Sequence, residues 1–166
     1  EYSRKIFQAC PQATVYAFEP HPKTFSVLSH FMHQSNFLPV NAAAGEKDGE
    51  LSLFDYESQD GSSHASLYKD VIENIHKAKS IEHKVKVIKL GAFARSKNVE
   101  KIDLLKIDTE GNELNVLMGI LDYIRSEKIG AIHFEFNEMN VSSRTFFRDF
   151  WELLPNYNFY RLLPDG

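Results

Sequence analysis

Apolar and polar positions change period repeatedly along the chain, and each change marks a new element. Short apolar or alternating runs at 14–18, 37–43, 51–56, 85–90, 102–107, 129–138 and 159–163 read as strands. Helical spacing fills the intervals. Tyr2, Ile6, Ala9 and Cys10 share one face and stop at Pro11, and Phe25, Leu28 and Met32 line a helix from Pro22 to about Gln34. A short helix or turn spans 91–98. Leu114, Leu117, Met118 and Leu121 form the next stripe. Phe146, Phe147, Phe150, Trp151 and Leu154 form the last, capped by Ser142 or Ser143 and ended by Pro155. Strands alternating with helices predict a single α/β domain with an open, mostly parallel sheet.

The connections carry the polar residues. Asp48-Gly49 predicts a hairpin that returns 51–56 antiparallel to the preceding strand. Ser58–Ser66 is a polar loop long enough to act as a lid, and Val71, Ile72 and Ile75 hint at a short helix after it. Three strand tips end in acids. Glu19 ends 14–18 and is held between Pro20 and Pro22. An acid there can accept hydrogen bonds from a ribose, or be a solvated turn residue. Ile102, Leu104, Leu105 and Ile107 make a strand covered on both faces, which runs into Asp108, Thr109 and Glu110. Ligands of open α/β sheets bind at such ends. The same residues also suit a helix cap, with Asp108 or Thr109 as the cap and Glu110 set against the dipole. In 132–137, Ile132, Phe134 and Phe136 face one way and His133, Glu135 and Asn137 the other, which brings a polar face to the site. Lys106, inside an apolar strand, reads as a paired cation.

The 166 residues are 43% hydrophobic, enough for one core, and a net charge of −4 without a basic stripe argues against nucleic acid. Cys10 is the only cysteine, so no internal disulfide forms, and no histidine is placed to activate it. His30 and His33 share a helix face without a completing acid or cysteine, and the histidines read as surface or satisfied core residues. No apolar stretch is long enough to span a bilayer and no secretory signal opens the chain, which predicts a cytoplasmic protein without membrane partners.

Three blocks carry a resemblance. Val15-Tyr16-Ala17-Phe18-Glu19-Pro20-His21-Pro22, Asn41-Ala42-Ala43-Ala44-Gly45 with Asp48-Gly49-Glu50, and Leu105-Lys106-Ile107-Asp108-Thr109-Glu110-Gly111-Asn112-Glu113 together resemble the FkbM family of S-adenosylmethionine-dependent methyltransferases. The last block is the most specific, and the resemblance covers about 1–140. It implies a Rossmann-like class I methyltransferase sheet and O-methylation of a small molecule or sugar hydroxyl. Carried over, Glu19 would bind the donor ribose, with Pro20 and His21 lining that pocket. Ala43 and Ala44 would lie near the adenine, and Asp108 near the methionine end and the acceptor. Glu110 and Glu113 match acids of the family without an assigned step. Leu90-Gly91 departs from the Leu-Asp often found there. The chain also opens inside the helix that should follow a glycine-rich donor loop. The resemblance places a first strand between those ending at Glu19 and Asp108, so 1–166 is expected to be an N-terminally truncated methyltransferase domain.

Methyl transfer from a sulfonium needs nucleophile and methyl held in line. O-methylation also needs a group to take the hydroxyl proton, and Asp108 leads by position, followed by Glu135 and His133. Asp108, Glu135 and Asn137 could instead offer oxygen ligands to Mg²⁺. Two other readings stand: a methyltransferase-fold binding domain without catalysis, favoured by the missing glycine loop, and an NAD-dependent oxidoreductase in which Glu19 holds the NAD ribose.

Overall fold

A computed structural model describes residues 2–163 except 32, 33, 59, 63, 64, 68, 70 and 76. In chain order the elements are α1 (Tyr2–Ala9), β1 (Val15–Phe18), α2 (Pro22–Phe31), β2 (Phe37–Val40), β3 (Ala43–Gly45), β4 (Gly49–Tyr56), a π-helical turn (Val71–Ile75), β5 (Ser80–Lys89), α3 (Leu90–Ser96), β6 (Ile102–Ile107), α4 (Glu113–Gly119), α5 (Leu121–Arg125), β7 (Ile129–Phe134), α6 (Met139–Ser142) and α7 (Phe147–Leu153). The expected Met32 and His33 positions, and parts of the Ser58–Ser66 loop, lie outside the described residues.

The chain is mixed α/β with parallel pairs. β1 runs parallel to β2, and β6 parallel to β7. A third sheet has the order β3-β5-β4, with β3 parallel and β4 antiparallel to β5. This corrects two expectations. The run 37–43 is two strands, since Asn41-Ala42 carries the chain from the sheet of β1 to the sheet of β5. Asp48-Gly49 does not close a hairpin between neighbours, because β5 lies between β3 and β4. Asp48 instead accepts the backbone N–H of Lys89 at 2.8 Å.

The main core gathers Ala44, Leu90, Ala94, Ile107, Val116, Leu117, Ile120, Tyr123, Ile124, Ile129, Phe150 and Leu154. Two helices therefore turn differently from the expected stripes. α4 buries Val116 and Leu117, with Leu114 and Met118 only half-buried. α7 buries Phe150, while Phe146, Phe147 and Trp151 are exposed. Asp149 caps α7 by accepting the Phe146 N–H at 2.7 Å, the part expected of Ser142 or Ser143. α1 buries Phe7 against Phe37, while Cys10 is exposed. Residues 159–163 form no strand. Phe159 instead stacks on Trp151 and meets Phe134 edge-on.

Glycine sets two close approaches. A side chain at Gly119 would overlap the Gly45 carbonyl, so α4 meets β3 backbone to backbone. At Gly91, a β-carbon would lie 2.6 Å from Asp122 Oδ1 and 3.0 Å from the Gly119 carbonyl oxygen.

Candidate active site at the strand carboxyl ends

Parallel pairing puts the predicted acids side by side. Phe18 registers with Val40, so Glu19 and Asn41 follow at one end of the first pair. Ile107 registers with Phe134, so Asp108 and Glu135 follow at the same end of the other. Glu19 and Asp108 thus belong to separate strand pairs.

Asp108 and Glu135 are both about half exposed, and Lys106 reaches up from β6 between them. Its ammonium lies 3.1 Å from Asp108 Oδ2 and 3.4 Å from Glu135 Oε1. The paired-cation reading of Lys106 holds. The Mg²⁺ reading does not, because the protein's own cation occupies the space between the two carboxylates. Asn137 is also engaged elsewhere: its side-chain Oδ1 accepts the Met139 N–H at 3.0 Å. His133, on the same face of β7, has its Nδ1 3.1 Å from the Tyr2 hydroxyl.

The segment after Asp108 is not a helix cap. α4 starts only at Glu113, behind a turn in which Glu110 (φ 50°) and Gly111 (φ 105°) are both left-handed. For a glutamate that backbone is strained by about 1–3 kcal/mol. The turn wraps around Glu113, which is 2% exposed. Glu113 Oε1 accepts the Thr109 N–H (3.0 Å), the Thr109 hydroxyl (2.9 Å) and the Gly111 N–H (3.2 Å), while Oε2 accepts Asn140 Nδ2 (3.1 Å). Successive N–H groups closing on an anion form a nest, here filled by the chain's own carboxylate. Ser66 ties the polar loop to this turn, donating its hydroxyl to the Glu110 carbonyl at 2.8 Å.

The Glu19 side chain is fixed by the His21 N–H, which donates to Oε1 at 2.8 Å. Its Oε2 has no hydrogen-bond partner among the described residues. Burial pushes the Glu19 carboxyl up from the ordinary range, the His21 N–H opposes this, and the charge of Asp55 adds to it. Asn41 Nδ2 donates to the carbonyls of Glu19 (3.0 Å) and Pro20 (3.3 Å), pinning the turn to the β2–β3 junction. Ala43 and Ala44 are buried, and the Ala44 carbonyl accepts Asn112 Nδ2 at 3.2 Å, which links β3 to the turn after Asp108.

His21 is nearly sealed from solvent and serves α2 as well, its Nδ1 accepting the Lys23 N–H at 3.3 Å. Its Nε2 meets Asp60 Oδ1 at 2.9 Å, and His83 Nε2 meets the same oxygen at 2.7 Å. The Lys23 ammonium bonds the other Asp60 oxygen, and it, with His83 and His21, holds the Asp60 carboxyl well below the usual range. Asp55 lies fully buried beside them. Burial pushes its carboxyl up, but the Ser62 hydroxyl and the N–H groups of Gly61, Ser62 and Tyr56 outweigh this and hold it below the ordinary value. His21 is the satisfied core histidine that was expected, and the fold joins it to His83 through Asp60. His83 shares a face of β5 with Ile81, Val85 and Val87, and a histidine in that aliphatic row was the signal.

Among the described residues, no helix is long and apolar enough to cross a membrane. No solved structure matches the chain. The curated protein "Methyltransferase 1" of Beauveria bassiana (strain ARSEF 2860) is 35% identical over 128 residues, covering 68% of this chain. The chain spans about half of that relative's length, 51%. The methyltransferase FkbM domain matches residues 4–160, nearly the whole chain. The chain belongs to the FkbM methyltransferase family.

Proposed function

We propose that the chain is the S-adenosylmethionine-binding part of an O-methyltransferase with a class I arrangement, acting on a hydroxyl of a small molecule or sugar. One observation carries the reading. Glu19 stands at the carboxyl end of β1 with one oxygen fixed by the His21 N–H, and burial disfavours its charge. A ribose diol would supply the hydroxyl donors that a half-buried carboxylate needs, and charge-assisted hydrogen bonds of this kind are strong. Pro20 and His21 shape the same turn, and Ala43 and Ala44 bring a narrow, small-residue strand close by. On the other strand pair, Asp108 is the base that takes the acceptor's proton, and Lys106 fixes its carboxylate. Glu135 shares that ammonium and sets the acceptor's orientation.

The test is calorimetric titration with S-adenosylmethionine and, separately, with NAD. Donor should bind, NAD should not, and Glu19→Ala should weaken donor binding by about 1.5–3 kcal/mol, the worth of hydrogen bonds to a charged group. NAD binding in place of the donor points to the oxidoreductase. Donor binding without transfer to any hydroxyl compound points to a binding domain.

A further inference from the structure

The buried group beside Glu19 has the composition of a metal site. His21 comes from the turn before α2, Asp60 from the loop after β4, and His83 from β5. One ligand atom from each, His21 Nε2, Asp60 and His83 Nε2, lies within 4.8 Å of the others, the one such grouping among the described residues. The two imidazoles meet edge to face with centroids 4.5 Å apart, and both Nε2 atoms converge on a single oxygen.

Charge favours a cation. The carboxylates of Glu19, Asp55 and Asp60 gather here, and the Lys23 ammonium offsets one of them. Asp55 Oδ2 is 3.6 Å from His21 Nε2 but already accepts the Gly61 and Ser62 N–H groups, so it acts as a nearby charge and not as a ligand. Thr24 Oγ1, which would lie 3.7 Å from a β-carbon at Gly61, is buried without a hydrogen-bond partner.

We propose that His21, Asp60 and His83 bind one divalent transition-metal ion of the zinc type, which clamps the loop after β4 to the turn after β1. Two imidazoles and one carboxylate suit zinc and its neighbours, whereas Mg²⁺ and Ca²⁺ prefer oxygen alone. Bonds of about 2.0–2.1 Å in a tetrahedron separate ligand atoms by roughly 3.3 Å. The spacings of 2.9 and 2.7 Å therefore open by about half an ångström, as the two protons between nitrogen and oxygen leave. The proton returning to His21 Nδ1 displaces the Lys23 N–H, whose 3.3 Å hydrogen bond is the longer of the two His21 makes through its ring. This site stands apart from Asp108 and does not depend on the donor reading.

The experiment uses the full chain, dialysed against EDTA and titrated with ZnCl2 by calorimetry, then with CoCl2 by visible absorption. One equivalent of zinc should bind, and cobalt should show ligand-field bands of a low-coordinate nitrogen–oxygen site. MgCl2 should not compete. Zinc should also slow hydrogen exchange at Gly61 and Ser62. His83→Gln keeps a donor toward Asp60 but removes the imidazole, and with Asp60→Ala it should lower zinc affinity at least about 100-fold, since even outer-shell losses cost 10–100-fold. His30→Ala, on the surface of α2, should leave it unchanged. Absence of stoichiometric zinc binding, or unchanged binding in a folded His83→Gln variant, overturns the proposal and leaves a hydrogen-bonded latch.

Discussion

Replacing Glu113 with glutamine removes one charge and exchanges one oxygen for an amide, yet it should cost more than most surface deletions. Three donors meet Oε1 and one meets Oε2. If the amide oxygen keeps the Oε1 position, three bonds to a charged acceptor become bonds to a neutral one, a loss of about 1 kcal/mol each. The new NH2 then faces the Asn140 amide donor. Asn140 cannot simply turn over, because its Oδ1 already accepts the Asn137 N–H at 2.9 Å. Two buried donors left facing each other add about 1–3 kcal/mol. The sum is about 4–6 kcal/mol, a large share of the 5–15 kcal/mol typical of a domain. Urea unfolding, followed by the fluorescence of the lone tryptophan, Trp151, measures it. Glu138→Gln, at an exposed position, is the control and should fall within about 0.5 kcal/mol of the parent. If Glu113→Gln loses less than about 1 kcal/mol, the turn is held by something other than this carboxylate.

Asp108→Asn should leave the melting curve close to that of the parent, because the side chain is half exposed, while methyl transfer falls at least about 100-fold; near-normal turnover would remove the base role. Gly91→Ala should destabilise by about 1–3 kcal/mol in thermal melts, since the Gly119 carbonyl cannot move aside as the Asp122 side chain can. Burial raises the Tyr157 hydroxyl above its ordinary pKa of 10.0, with Glu127 adding to it, and the hydroxyl donates to the Ile129 carbonyl at 2.8 Å. The folded chain therefore holds this proton longer than the unfolded one. The stability it confers is whole below pH 10.0 and is lost as pH rises through the folded value. Tyr157→Phe should flatten that alkaline loss in denaturation series, and an unchanged slope would contradict it.

Much of this arrangement was legible in the sequence because it rests on periodicity. β5, β6 and β7 follow apolar patterns whose period leaves little choice, and Lys106 inside such a run had to find carboxylates. What the sequence hid depended on partners distant in the chain. Nothing local distinguishes the junction at Asn41-Ala42 from the interior of a longer strand, so β2 and β3 merged. The expected stripe of α4 caught Leu117 but missed Val116 and Ile120, which the core takes in from the adjoining face. Phe159 satisfied a strand pattern but found Trp151 and Phe134 to pack on. His21 and His83 were read singly, and only the fold brings Asp60 between them.

The contact of Gly119 with Gly45 has a mechanical consequence. Side chains at an interface act as springs, since rotamers can yield. Here two backbones meet with no β-carbon between them, so the contact has almost no give. α4 carries the Asp108 turn at its amino end through Glu113, and β3 is hydrogen-bonded through Ala44 to Asn112 in that same turn. The glycine pair is therefore a fulcrum. A displacement of the Asp108 turn cannot be absorbed at the far end of α4 and must appear as rotation about this point, carrying β3 and the junction at Asn41 with it. Asp108 and the turn that holds Glu19 would then move as arms of one lever.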